Sequence, residues 1–497
     1  MGKLIPFQNE LRQVLPTVTG NADYSKFKNL LMRISEIIEL SKIENRAIEY
    51  VVLMTEQELK SELSDQVLFS IQQKTAIALR CIVARKLTLL SYRAFSIRLA
   101  ESYLLQHFCQ IDHIDKIKVP SKSTLERFEK MFPEEIIREL NTIVLKAATT
   151  PVTEIEENRL KLETAISLDE YFADSTCVKA NIHYPVDWVL LRDATRTLIK
   201  AVKVIRKHGL KNRMDEPSDF INGMNKLCIN MTHTKGRKDG KKKSKQIYRI
   251  MKQMMKRIAL HGLKHQELLE SRWQETDLSE KEAKQIITRI ENILTQLPEA
   301  IRQGHERIIG ERLVKDKDKI LSLYDENISV TVRGKAGARV EFGNTLFLAE
   351  QIDGIIIDWK LYKNKAPSDI KILKKSLERL RKEYDEYRPK SVTTDRGFFS
   401  KHNQKYLEKK EITDYMCPRS VSELNERLKE REFCKHQKRR AQTEGRVGIV
   451  KNCFLGNPST GKDFRSRNLS TAWGVLTHNL WALARLPKAD IEQDLAV

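Results

Sequence analysis

The run NISVTVRGKAGARVEFGNTLFLAEQIDGIIIDWKLY, residues 327–362, decides the fold class. It is rich in β-branched and aromatic residues, and two sets of turn formers, Gly334 to Gly337 and Asp353-Gly354, cut it into three pieces. Such pieces read as an antiparallel meander of about three strands. Downstream, DIKILKKSLERLRKEYDEY (369–387) places Ile370, Leu373, Leu377 and Leu380 on one helical face. A short strand, PKSVTTD (389–395), ends at Asp395 and precedes a helix expected from about Ser400. A further short strand, ITDYMCP (412–418), leads into helices that run to NLSTAWGVLTHNLWALARL (468–486).

Upstream, TAISLDEYFADSTCV (164–178) is β-compatible and is bounded by the loop NIHYP (181–185). Between it and the meander lies a long helical stretch, from about 187 to 320. With that interruption set aside, the order gives an α/β protein with a mixed sheet flanked by helices. A chain of 497 residues is too long for one ordinary core. The expected units are an all-α region over 1–150, a sheet domain over 160–190 and 325–490, and a basic helical insertion over 190–325.

Lys and Arg number 89 against 67 Asp and Glu, a net charge of +22 with a pI near 9.5. A surplus of this size favours a polyanionic partner, with an affinity that falls steeply with salt; a merely basic or ribosome-associated protein is the plainer alternative. The seven cysteines are scattered, with no CxxC pair, which excludes a disulfide framework as the organising device. Cys434 and His436 lack the partners a zinc site needs. No apolar run approaches the length that crosses a bilayer, and the first residues lack a signal-like apolar core, so no membrane is expected and a cytoplasmic, nucleoid-associated location is.

In the N-terminal region, SYRAFSIRLAESYLLQHF (91–108) and VPSKSTLERFEKMF (119–132) are separated by a connector. Ser123 and Glu126 have capping-box spacing, which predicts a short helix presenting Lys122, Thr124 and Arg127 near its start. The pair is compatible with a helix-turn-helix that reads a major groove, and equally with plain packing. In the insertion, KGRKDGKKKSK (235–245), with Lys241, Lys242 and Lys243, reads as a solvated or phosphate-gripping loop. Ser279 and Glu282 cap a following helix whose Ile286, Ile290, Ile293 and Leu297 form an apolar stripe suited to internal packing.

The chemistry rests on carboxylates. Asp174 and Asp395 are expected at strand ends, where an open α/β sheet presents side chains to a ligand crevice. Asp169 competes with Asp174, but on a regular strand it points to the opposite face. In HQKRRAQTEGRVGIVK, Arg440, Glu444 and Lys451 share one helical face, the arrangement of an ordinary salt-bridged surface or of a third acid flanked by phosphate-gripping cations. Gly445 and Gly448 weaken such a helix by about 1 kcal/mol each, which suits a place where backbone or substrate comes close. Clustered carboxylates hold hard divalent cations together with substrate phosphates.

Taken together, DSTCVKANIHYPVD, TTDRGFFSKHN and RRAQTEGRVGIVKN resemble, in this order, the three catalytic blocks of the DDE transposases of bacterial insertion sequences. The last block carries most of the family's Tyr-Arg-Glu-Lys signature, with Gln437 standing where the tyrosine belongs. The resemblance covers about residues 90–486 apart from the insertion. It implies an RNase H-like catalytic domain in which Asp174, Asp395 and Glu444 bind two Mg²⁺ (or Mn²⁺) ions. It also implies cleavage at the ends of an insertion sequence and joining of the freed 3′-hydroxyl to target DNA. Arg440 and Lys451, with Arg396 and Lys335 as weaker candidates, would grip phosphates near the cut. The implied partners are double-stranded DNA, as terminal repeats and target, and a second copy of the chain in the synaptic complex.

Overall fold

The computed structural model describes residues 13–114, 116–149, 160–234, 236–335, 338–384 and 387–489. The N-terminal region is helical: α1 (Ala22–Ser41), α2 (Ile43–Leu59), α3 (Asp65–Thr88), α4 (Tyr92–Glu101), α5 (Tyr103–Phe108), α6 (Lys122–Lys130) and α7 (Glu134–Ala148). Most of their buried apolar residues, from Leu31 to Ala148, belong to one continuous core with the sheet and the C-terminal helices. α3 is long and apolar enough to cross a bilayer by length and composition, which the sequence reading did not anticipate. It lies in this core with its buried charges paired. Buried Arg80 meets Glu44 at 2.6 Å and Glu39 at 3.2 Å, and Lys86 meets buried Glu129 at 3.2 Å.

α6 starts two residues earlier than its expected cap allows. Ser121, not Ser123, is the N-cap, and its hydroxyl accepts from the Thr124 amide at 3.3 Å. Ser121 follows Pro120 and is extended, as a cap must be, whereas Ser123 already lies inside the helix. Leu125 and Phe128 are buried, while Lys122 and Arg127 are exposed and Thr124 is half-buried.

The sheet begins with β1 (Glu170–Lys179). The insertion follows as α8 (Asp187–Lys207), α9 (Pro217–Thr232), α10 (Gly240–Arg272) and α11 (Glu280–Gly304). It closes a core of its own, to which Leu198, Ile199, Met251, Met255, Ile290 and Ile293 belong. The Ser279–Glu282 capping box forms, and the Ile286 to Leu297 stripe is buried inside this unit. The basic run is less of a loop than its sequence suggests. α10 starts at Gly240, so Lys241, Lys242 and Lys243 lie in its first turn, because the periodic apolar face from Tyr248 to Leu269 carries the helix back through them. Lys241 and Lys245 flank Glu311 at 2.9 and 2.8 Å, and Lys243 pairs with Asp239 at 2.6 Å.

The meander is β2 (Ser329–Lys335), β3 (Ala338–Glu350) and β4 (Ile356–Leu361), antiparallel throughout. The rest is α12 (Asp369–Glu383), β5 (Ser391–Thr394), α13 (Lys401–Lys409), β6 (Thr413–Asp414), α14 (Val421–Arg427), α15 (Arg431–Ile449), a π-helical turn over Val450–Leu455, and α16 (Phe464–Leu483). β3 is long enough to pair with β2 through its first half and with β4 through its second, while β1 lies along its other side. The six strands are therefore ordered β2-β3-β1-β5-β6, with β4 also paired to β3 and β3 the antiparallel member.

Helices cover both faces of β1, which is why its apolar residues do not simply alternate. Tyr171 on one face donates to Ser376 of α12 at 2.8 Å, and Phe172 on the other stacks against His436 of α15. α16 guards the free side of β4. The buried Asn479 side chain accepts from the Ile356 amide at 2.9 Å and donates to its carbonyl at 2.7 Å, as a neighbouring strand would.

Candidate functional site

Asp174 is not at a strand end. It is the fifth residue of ten in β1, because β3 stays paired with β1 as far as Lys179. What ends beside it is β5. The last parallel pair is Ala173 with Thr394, so Asp395 follows β5 directly alongside Asp174. The two acids thus meet where β5 stops, at the carboxyl end of the parallel ladder, where α/β sheets open to ligands. Asp169 lies before the first residue of β1, and its carboxylate pairs with Lys390 at 2.8 Å.

α15 lies over this end of the sheet on the face of Phe172, Asp174 and Thr176. Its Gln437 donates to the carbonyls of Tyr415 at 2.6 Å and Thr394 at 3.4 Å, tying the helix to the ends of β6 and β5. The Gln437 Oε1 accepts from Arg440 Nε at 3.1 Å, and Arg440 Nη1 reaches Glu444 at 3.4 Å. The π-helical turn then brings Lys451 Nζ to 3.4 Å from the Thr176 hydroxyl, two residues beyond Asp174 on the same face. Gly445 and Gly448 border open space, with nothing within 4 Å of a side chain added at either. No close approach of the chain's own backbone accounts for them.

The electrostatics follow this geometry. Asp174 is pushed up to about 6, by burial first and then by the charges of Asp395 and Glu444; the Ser175 amide and Arg440 oppose the rise. A fourth acid, Asp369 at the start of α12, was hidden in the sequence as an ordinary first-turn aspartate after Pro367-Ser368. It accepts from the Ser175 hydroxyl at 3.1 Å, and burial and the Asp395 charge raise it as well. A side chain at Gly397 would come within 3.0 Å of both Asp369 and Asp395.

The donor chemistry fits a hard divalent cation. Carboxylates gather at this end of the sheet, and the charges of Asp395 and Glu444 add to the burial that raises Asp174. The acids are not closed into a ligand set. Among the described residues no three His, Cys, Asp or Glu side chains are close enough to hold one ion, and the half-exposed Glu444 carboxylate is turned toward Arg440.

The remaining basic candidates lie on other segments. Arg396 is exposed beside Asp395, on a loop held by Arg419, which donates to the carbonyls of Arg396 and Gly397. Lys335 ends β2 opposite Ala338, ten residues along β3 from the Leu348 that faces Asp174, or about 33 Å of strand. Lys122, Thr124 and Arg127 on α6, and Lys241 to Lys243 on α10, belong to other surfaces. His436 is occupied structurally, stacked between Phe172 and Tyr415. No protein-family model, curated protein or solved structure matches the chain.

Proposed function

We propose that this chain is a DDE transposase that cleaves the ends of an insertion sequence and joins them to target DNA. One observation carries the reading: Asp174 and Asp395 side by side where β5 ends, under α15, whose Glu444 and Arg440 charges act on Asp174, with Lys451 of the following turn at Thr176. The order β4-β3-β1-β5-β6 within the sheet, where β2 also pairs β3, with β3 antiparallel and a helical insertion after β1, supports the finer assignment to an RNase H-like catalytic domain.

In this reading Asp174, Asp395 and Glu444 hold two Mg²⁺ (or Mn²⁺) ions. When bound, these supply an activated attacking oxygen and charge stabilisation at the leaving one. Arg440 and Lys451 flank the acids and bind the phosphates on either side of the cut. Gln437 steadies the Arg440 guanidinium beside the acids. The surplus of 22 positive charges gives affinity along the duplex, and α6 presents Lys122, Thr124 and Arg127 to it. DNA ends paired by a homodimer, in a cytoplasmic, nucleoid-associated protein, complete the proposal.

The test is chelator-sensitive nicking of a terminal-repeat duplex, followed by strand transfer from a pre-cut 3′-hydroxyl end. Asp174→Ala, Asp395→Ala and Glu444→Ala should each abolish cleavage and leave DNA binding nearly intact; full activity in any one removes the triad. The Glu444 carboxylate lying on Arg440 rather than among the other acids favours one second reading, a transposase-derived DNA-binding protein without catalysis. Binding with no metal-dependent nicking would select it. Cleavage without joining would point instead to a nuclease of the same fold.

A further inference from the structure

We infer that Glu350, at the end of β3, is the positioning residue that sets the rotation of α15 and so places Glu444 and Arg440 over Asp174; the inference rests on the catalytic reading above. Glu350 is 2% exposed and lies beside Phe172, two residues before Asp174 along β1. Three residues of α15 converge on its one carboxylate. Arg439 Nη1 lies at 2.9 Å and the Thr443 hydroxyl at 2.7 Å from Oε1, and Arg446 Nε lies at 3.4 Å from Oε2.

These residues are spaced i, i+4 and i+7, so they form one stripe of the helix. The stripe of Arg440 and Glu444 is the same spacing moved on by one residue, about 100° around the axis. Fixing the first stripe fixes the second. Arg439 adds bonds to the carbonyls of Ile352, at 2.8 Å, and Gln351, at 3.0 Å, and its guanidinium lies over the Phe172 ring at 4.6 Å. The turn after β3 makes room for the third partner. Gly354 has φ +80, and any side chain there would overlap the Arg446 guanidinium.

A buried carboxylate facing two guanidiniums is costly to disturb, because removing its charge leaves cations without their partner. Neither ring stacking nor Gln437 replaces it, since both act one turn earlier on the helix. Outer residues of this kind commonly change metal affinity about 10–100-fold.

The test compares Glu350→Gln with the milder Thr443→Val, which removes one donor and keeps the shape. Amide hydrogen exchange over residues 437–449 is measured against α16 as an internal reference, alongside the Mg²⁺ concentration that half-saturates cleavage. Glu350→Gln should speed exchange in α15 about tenfold with α16 unchanged, and should raise the Mg²⁺ requirement about tenfold, partly recovered by excess metal. Thr443→Val should move both measures in the same direction by less. Unchanged exchange in α15, or equal acceleration in α15 and α16, overturns the inference. If the wild-type chain shows no metal-dependent cleavage, the transposase reading fails, and the exchange measurement still decides whether Glu350 holds α15.

Discussion

Asp395 follows Thr394, the last β5 residue to pair with β1, and so stands beside Asp174 with no strand beyond to separate or cover them. Two acids at the end of a ladder repel each other unless something positive lies between them. Burial and this repulsion leave Asp174 protonating at about 6 rather than at the usual 3.8. The folded chain thus holds this proton more tightly than the unfolded chain. Stability from this group is full below about pH 4 and falls as pH rises through about 6, by something on the order of 2–3 kcal/mol. Asp174→Asn should therefore raise the melting temperature at pH 8 in the presence of a chelator, have little effect at pH 4, and abolish cleavage. A lower melting temperature at pH 8 would remove the electrostatic account.

Gln437 makes a second prediction. Its amide group bonds two strand-end carbonyls and Arg440 at once. Gln437→Ala would free those carbonyls and release the guanidinium, costing about 1–3 kcal/mol. Single-turnover cleavage should drop about tenfold while duplex binding changes little, since Arg440 and Lys451 keep their charges. An unaltered cleavage rate would show that Arg440 needs no support from this side.

These two sites also show what the sequence could convey. The meander, the helix after it and the helical insertion were legible because their signals are local: glycine turns, apolar periodicity, and a Ser-x-x-Glu cap that forms at Ser279. Asp395 was legible for the same reason, at the end of a short strand rich in β-branched residues. The position of Asp174 within β1 was not, because strand length depends on how far β3 runs beside it. Ser121 took the cap expected at Ser123, and helical periodicity drew Lys241 to Lys243 out of a loop and into α10. Glu350 and Asp369 gave no signal at all. Each acts through residues from 26 to 194 positions away in sequence that only the folded chain brings near.

Glu383 offers a test away from the site. It lies where α12 meets α7, 3.6 Å from Arg138 and near buried Asp358. Burial pushes it up to about 7, with Arg138 opposing and Asp358 adding to the rise. Because the folded value lies above the usual 4.5, stability is full below that pH and declines as pH rises through about 7. Glu383→Gln should stabilise the chain at pH 8 by about 2–3 kcal/mol and change little at pH 4. Denaturant melts at the two pH values decide it; equal effects at both would mean that lost packing, not charge, dominates.

The final prediction concerns α6. Lys122 opens the helix and Arg127 lies in its last turn, both exposed, and Arg127 bonds the Thr124 hydroxyl at 3.3 Å. The apolar side of the helix, through Leu125 and Phe128, is already buried. Alanine at either basic position therefore removes charge from the surface without opening the core, so melting should stay within about 0.5 kcal/mol of the original. If α6 meets phosphates, each substitution should reduce the slope of log affinity against log salt by about 1 for any duplex. If α6 reads bases instead, the loss should fall on terminal-repeat DNA and spare random sequence. An unchanged slope and unchanged preference in both variants would leave α6 as a packing element, and DNA recognition would have to lie elsewhere on the basic surface.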